Sequence, residues 1–232
     1  MNNRGFFLIS NSEVTFGGTS LFLNNSNSYP LLSSDDVTPL HEGGAIACTG
    51  STVRFMNSAT FLDNYSRSNG GALSAVGSKI YIHKNITVAN NQAQDSGGGV
   101  YLFVSHFTCE VSCNFSDNIA HLGRGGGLHT IDSIILLGGE CRDCRTTKAS
   151  FIFSSNYAIR GGGMYFEANS ELRGPKDIYQ AYEIVFSNND ADKEGKAIYV
   201  DDSTYLASCN RYHAQCFLQT SLPTFHETNI LT

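Results

Sequence analysis

A short motif returns along this chain at near-constant spacing, and it restricts the fold more than any other feature. Two glycines followed by two mostly apolar residues occur as Gly43-Gly44-Ala45-Ile46, Gly70-Gly71-Ala72-Leu73, Gly98-Gly99-Val100-Tyr101, Gly126-Gly127-Leu128-His129 and Gly162-Gly163-Met164-Tyr165. Gly195-Lys196-Ala197-Ile198 is a degenerate sixth copy. Starts at 43, 70, 98, 126, 162 and 195 are separated by 27, 28, 28, 36 and 33 residues. The two long intervals hold insertions near 139–150 and 174–182. A second motif, Phe-x-x-Asn, keeps phase with the first as Phe22/Asn25, Phe61/Asn64, Phe115/Asn118, Phe153/Asn156 and Phe186/Asn189, with Val88/Asn91 as a variant. Two motifs in phase define a structural repeat, and a period in the range of 20–50 residues points to a solenoid or propeller.

Within each repeat lie three short runs rich in β-branched and aromatic residues, separated by polar turns. In the first full copy these are 45–48, 52–56 and 59–62; in the second, 72–76, 79–83 and 86–89. Runs this short make strands rather than helices. Three strands per repeat, stacked copy on copy, predict an all-β fold: a right-handed parallel β-helix of about six or seven coils over residues 1–200. Residues 201–232 lack the repeat and read as a C-terminal cap, which the open strand edge of such a rod requires.

The repeated residues then have physical roles. Glycine pairs allow positive φ and close approach of adjacent coils. Asparagine suits turns, and asparagines stacked one per coil can hydrogen-bond as a ladder. The phenylalanine of Phe-x-x-Asn points inward, with Ala59, Ile86, Cys113, Phe151 and Ile184 two residues before it on the same face. Thr60, Thr87 and Asn114 alternate outward. The strand after Gly-Gly is less clear. Ile46, Leu73, Tyr101, Tyr165 and Ile198 fall on one face and Ala45, Ala72, Val100, Met164 and Ala197 on the other, and either could be buried. Should the bulkier set point out, the rod carries an aromatic stripe suited to an interaction.

Composition excludes several partner classes. The net charge is −6 and no two Lys or Arg residues are adjacent, so the clustered positive charge needed for nucleic acid is missing. The longest apolar run, Val100-Tyr101-Leu102-Phe103-Val104, has five residues, far below a transmembrane helix. Charged residues make up only 16%, whereas a disordered tail or coiled coil would need far more. The first ten residues contain no apolar stretch long enough for a signal peptide. Seven cysteines and N-x-Ser/Thr sequons at Asn24, Asn64, Asn85 and Asn114 nevertheless point to export, as expected of a fragment or internal domain of an exported protein.

Gly-Gly-Ala-Ile alternating with Phe-x-x-Asn resembles the repeats of the chlamydial polymorphic outer-membrane proteins over residues 16–200. Similar repeats occur in large β-helix proteins of simple animals, which the ending Gly195-Lys196-Ala197-Ile198-Tyr199-Val200-Asp201-Asp202-Ser203 with Cys209 and Cys216 resembles more. The bacterial resemblance implies a surface-exposed, adhesin-like passenger with a C-terminal membrane barrel. No alternating barrel strands follow residue 200, so that export route is not expected here.

Many β-helices cleave polysaccharides, which makes a carbohydrate-active lyase or hydrolase acting on acidic polysaccharide the alternative. Glycoside hydrolysis needs two carboxylates roughly 5–9.5 Å apart; the adjacent pairs Asp35-Asp36 and Asp201-Asp202 diverge if they lie in strands. The short signatures of pectin-cleaving enzymes and of zinc and serine hydrolases are absent. The expectation is therefore a binding or structural protein with no catalytic residue, no cofactor and no metal, contacting a protein or glycan on a solenoid face. Asp190 to Asp201 loosely resembles a calcium loop, but its phase places it in a turn. Cys209 and Cys216 are candidates for a disulfide in the cap. Cys113 and Cys141, each fifteen residues after a Gly-Gly start, are candidates for a bridge between neighbouring coils. Cys141 and Cys144 form a Cys-x-x-Cys in an insertion, without the second pair that zinc would need. Cys48 reads as a small buried hydrophobe. Asn85 and Asn114 share outward parity and are the glycosylation candidates; Asn64 belongs to the turn ladder.

Overall fold

A computed structural model describes residues 6–27, 42–138, 149–174, 182–201 and 218–220. The chain winds into a parallel β-solenoid whose strands assemble into four sheets, here A to D, each with one strand per coil. Sheet A contains Phe7–Ser10, Ile46–Thr49, Leu73–Val76, Val100–Phe103, Leu128–Ile131, Met164–Glu167 and Ile198–Val200. Sheet B runs from Glu13–Phe16 to Glu171–Arg173, and sheet C from Ser20–Leu23 through Tyr182–Ser187 to Leu218–Thr220. All described strand pairs are parallel. The expected three strands per coil are thus present, joined by a fourth, shorter ladder. Sheet D begins with two-residue strands such as Tyr65–Ser66 and Gln92–Ala93. The tail returns to the rod at Leu218–Thr220, which pairs with Ile184–Phe186.

The core is a set of columns, one residue per coil. Phe22, Phe61, Val88, Phe115, Phe153 and Phe186 align across sheet C. Where phenylalanines follow one another their rings stack face to face, at 4.5 Å for Phe22–Phe61 and 4.8 Å for Phe115–Phe153. The strand spacing of about 4.8 Å brings identical rings into contact, so the repeat period itself packs the core. Ala59, Ile86, Cys113, Phe151 and Ile184 are buried beside them.

The corners are made by left-handed residues with a ladder residue directly after. Asn24, Asp63, Asn90, Asp117, Ser155 and Asn188 have φ between 53° and 56°. The asparagines that follow them form a continuous ladder. The backbone N–H and Nδ2 of Asn64 both donate to Oδ1 of Asn91, at 3.0 and 2.8 Å. Asn91 does the same to Asn118, Asn118 to Asn156, and Asn156 to Asn189. The second Nδ2 hydrogen reaches the phenylalanine-column carbonyl one coil back, as from Asn91 to Phe61. Each buried amide is thereby satisfied, which burial demands. A second ladder runs along Ser12, Ser51, Ser78, Ser105, Ser133 and Ser170, where each backbone N–H donates to the next hydroxyl.

The glycines bring a correction of register. The first, left-handed glycine of each turn is Gly43, Gly70, Gly97, Gly125, Gly161 and Gly195. Gly43 donates to Asn69 O, Gly70 to Ser96 O and Gly97 to Arg124 O, so these positions are equivalent. Coils three to five carry three glycines, and the aligned pair is Gly97–Gly98 rather than Gly98–Gly99, Gly125–Gly126 rather than Gly126–Gly127, and Gly161–Gly162 rather than Gly162–Gly163. The second glycine cannot carry a side chain: a Cβ on Gly71 would lie 2.0 Å from the Gly98 carbonyl oxygen. Since a one-residue slip exchanges strand faces, the two columns assigned to this strand from the sequence mix inward and outward residues. The inward column is Ile46, Leu73, Val100, Leu128, Met164 and Ile198.

Candidate interaction face

With that register, the outward column of sheet A is Ala47, Ser74, Tyr101, His129, Tyr165 and Tyr199. From the third coil onward every member is an aromatic ring. Tyr101 and His129 meet edge to face at 5.4 Å, His129 and Tyr165 at 5.1 Å, and Tyr165 and Tyr199 stack at 4.9 Å. His129 and Tyr165 are buried by their neighbours, while Tyr101 and Tyr199 at the two ends are half-buried. Unlike the phenylalanine columns, these rings lie outside the hydrophobic core.

A polar column flanks the rings on one side. The residue preceding each left-handed glycine is Glu42, Asn69, Ser96, Arg124, Arg160 or Glu194. On the other side, Phe103 and Ile131 lead in register to Glu167. Arg124 Nη1 lies 2.6 Å from Glu167 Oε2, and His129 Nε2 lies 3.2 Å from the same oxygen. The guanidinium of Arg124 sits 5.0 Å from the centre of the Tyr165 ring, and that of Arg160 5.9 Å from Tyr199. Such cation–ring contacts add roughly 0.5–1 kcal/mol each at exposed sites. The Tyr165 hydroxyl is 3.3 Å from Asp201 Oδ2. One coil end of the face is occupied by Glu42, whose carboxylate accepts hydrogen bonds from Asn69 at 2.8 Å and Ser74 at 3.2 Å.

The electrostatics follow from these contacts. The hydrogen bond from His129, then those from Arg124, hold the Glu167 carboxyl down at about 2 against its partial burial. Burial pushes Tyr165 up to about 12, with Arg124 pulling the other way. Tyr101 is raised by burial and by the charges of Glu42 and Glu167. Burial also raises Glu42 above the ordinary carboxylate value, despite its hydrogen bonds. Glu167 is therefore a fixed anion committed to two partners, and it has no proton to give near neutrality.

The residues singled out in the sequence fall elsewhere. Asn64, Asn118, Asn156 and Asn189 lie in the buried ladder, and Phe61, Phe115, Phe153 and Phe186 in the core. Asn85 is exposed at the start of Asn85–Ala89. Asn114 points outward but is half-buried, and its Oδ1 is closed off without a hydrogen bond. Cys113 is bonded to Cys109, with Cα atoms 6.3 Å apart. This corrects the expected bridge from Cys113 to Cys141: Cys109 ends a sheet B strand and Cys113 is the second residue of the next sheet C strand, so one corner turns both sulfurs into the core. Cys48 is free and buried as expected. Cys209, Cys216, Cys141 and Cys144 lie outside the described residues. Asp190–Glu194 is a strand of sheet D, where Asp190 pairs with Lys196 and Asp192 accepts from Tyr157. Among the described residues no group of three His, Cys, Asp or Glu is placed to hold a metal ion, and no helix is long and apolar enough to cross a membrane.

The Arg124–His129–Glu167 cluster was not singled out in the sequence. Its members are up to 43 residues apart, and only the glycine register would have aligned them. Residues 183–201, the last repeat, match the model of the Chlamydia polymorphic membrane protein repeat. That match and the all-parallel sheets agree on a β-helix resembling the chlamydial polymorphic membrane proteins. No curated protein and no solved structure matches the chain.

Proposed function

We propose that this chain is an exported, surface-associated or secreted β-helix protein of adhesive or structural type. In this reading it holds an extended protein or glycan partner along the outward face of sheet A, without catalysis. The observation that carries the reading is the unbroken ring column Tyr101–His129–Tyr165–Tyr199, flanked by charges and lying outside the core. Rings with polar edges, held rigid by their neighbours, lose little entropy on binding. The buried Cys109–Cys113 disulfide supports an oxidising compartment. The matched repeat supports a surface protein. Exposed Asn85 is the glycosylation site this reading favours, and half-buried Asn114 is the weaker one. Cys209–Cys216 remains the proposed staple of a cap over 201–232.

The test is binding of the purified protein to a glycan array and to whole cells, with Tyr101→Ala and Tyr199→Ala compared. Because these two rings end the column, their removal leaves the buried centre in place. A loss of binding of about tenfold or more in either variant is expected; full binding in both removes face A from the reading.

The polysaccharide-cleaving alternative is favoured by one observation: Arg124, Glu167 and Asp201 converge around Tyr165. Release of new chain ends from acidic polysaccharide, abolished by Glu167→Gln, would put that reading first. The fixed charge on Glu167 argues against it as a proton donor.

A further inference from the structure

His129 is the ring of the outward column with an ionisable imidazole, and it is 3% exposed. Its Nε2 faces Glu167 Oε2 at 3.2 Å, and the same oxygen takes Arg124 at 2.6 Å. Its Nδ1 is sealed from solvent and has no hydrogen-bond partner. A neutral ring protonated on Nε2 fits this geometry: it donates to Glu167 and leaves only a lone pair unanswered. A second proton, on Nδ1, would be a buried donor without an acceptor, and an unanswered buried polar group is costly.

The charged and titratable groups around the ring come from each neighbouring coil. Tyr101 faces it from Val100–Phe103, and Tyr165 and Glu167 from Met164–Glu167. Arg124 approaches from the turn before Leu128–Ile131. Asp201 reaches the cluster through the Tyr165 hydroxyl, and Glu42 acts on Tyr101. Glu167 attracts a protonated ring and Arg124 repels it, while burial opposes the charge outright.

We propose that His129 is a proton-operated latch: the neutral ring closes the Arg124–Glu167–His129 cluster, and protonation at Nδ1 drives the ring from between Tyr101 and Tyr165, opening face A in mild acid. The inference does not depend on what face A binds. Burial lowers the imidazole below its ordinary value of 6.5, the attraction of Glu167 offsetting only part of this. The folded state therefore binds the proton less readily than the open state. The latch is fully closed above that ordinary value and is lost progressively as pH falls below it.

Amide hydrogen exchange of the whole protein at about pH 7.5 and about pH 5 tests this, after correction for the intrinsic exchange rate. Leu128–Ile131 and Met164–Glu167 are expected to lose protection by about tenfold in acid. Sheet C strands should change far less, and His129→Gln, which cannot gain charge, should remove the acid step. Unchanged protection in the native protein, or the same acid step in His129→Gln, overturns the latch. If His129→Gln fails to fold, the NMR titration of the native His129 ring decides. A midpoint below 6.5 upholds the latch, and one at or above 6.5 overturns it.

Discussion

Thr130 shows at the scale of one residue how the repeat constrains its sites. It shares an inward column with Ala75, Leu102 and Phe166, is completely buried, and its hydroxyl has no partner. Leaving a polar group buried and unpaired costs about 1–3 kcal/mol. Thr130→Val keeps the shape and removes the hydroxyl, so thermal or urea unfolding should show a gain of about 1 kcal/mol; a loss would mean that the hydroxyl is satisfied. Glycine positions divide in the same way. Gly71→Ala forces a methyl against the Gly98 carbonyl, whereas a Cβ on Gly17 meets nothing within 4 Å. The first should cost about 3 kcal/mol or more or prevent folding, and the second should leave the melting temperature nearly unchanged. Equal effects would refute the close coil contact.

Elements here are ladders rather than single strands, and a ladder fails at its weakest rung. Asn118 Oδ1 accepts from both the backbone and the side chain of Asn91, and its Nδ2 serves Asn156 and Val88. Asn118→Leu strands several of these buried groups at once. A loss of about 3 kcal/mol or more in urea unfolding is expected, and a change below about 1 kcal/mol would show that the ladder is not what holds the corner. The Cys109–Cys113 ring encloses few residues. On the chain-entropy account, the double substitution Cys109→Ala with Cys113→Ala should then cost only about 2 kcal/mol. A loss twice that size would show that the disulfide packs as well as tethers.

At the scale of the whole molecule, stability should follow pH through groups of opposite sign. The carboxyl of Glu167 is lowered from 4.5 to about 2, so its contribution is complete above 4.5 and fades as pH falls towards 2. His129 acts in the same direction in the window beginning at 6.5. Glu42 is raised above 4.5 and acts oppositely, favouring the fold below 4.5 and losing that contribution as pH rises. Urea midpoints measured across this range should decline towards acid, and Glu167→Gln should flatten the decline below 4.5. A variant that keeps the full acid decline would show that other carboxylates cause it.

Phe-x-x-Asn and the Gly-Gly turns made the solenoid, its coil count and the sheet C facing legible before any coordinates. They could do so because a left-handed corner followed by a ladder asparagine recurs once per turn and ties each residue to one equivalent in the next coil. Thr60, Thr87 and Asn114 followed from parity alone. The serine ladder keeps an equally regular spacing at 51, 78 and 105 but is hidden by the many other serines. Only the tertiary structure decided face A. Three consecutive glycines at 97–99, 125–127 and 161–163 permit two registers that differ in which side chains point out. Backbone hydrogen bonds to the adjacent coil choose between them. The same holds for Cys109–Cys113 and for Arg124 with Glu167: a repeat encodes which residues are equivalent, while the pairing of unlike residues depends on how neighbouring coils come to rest against one another.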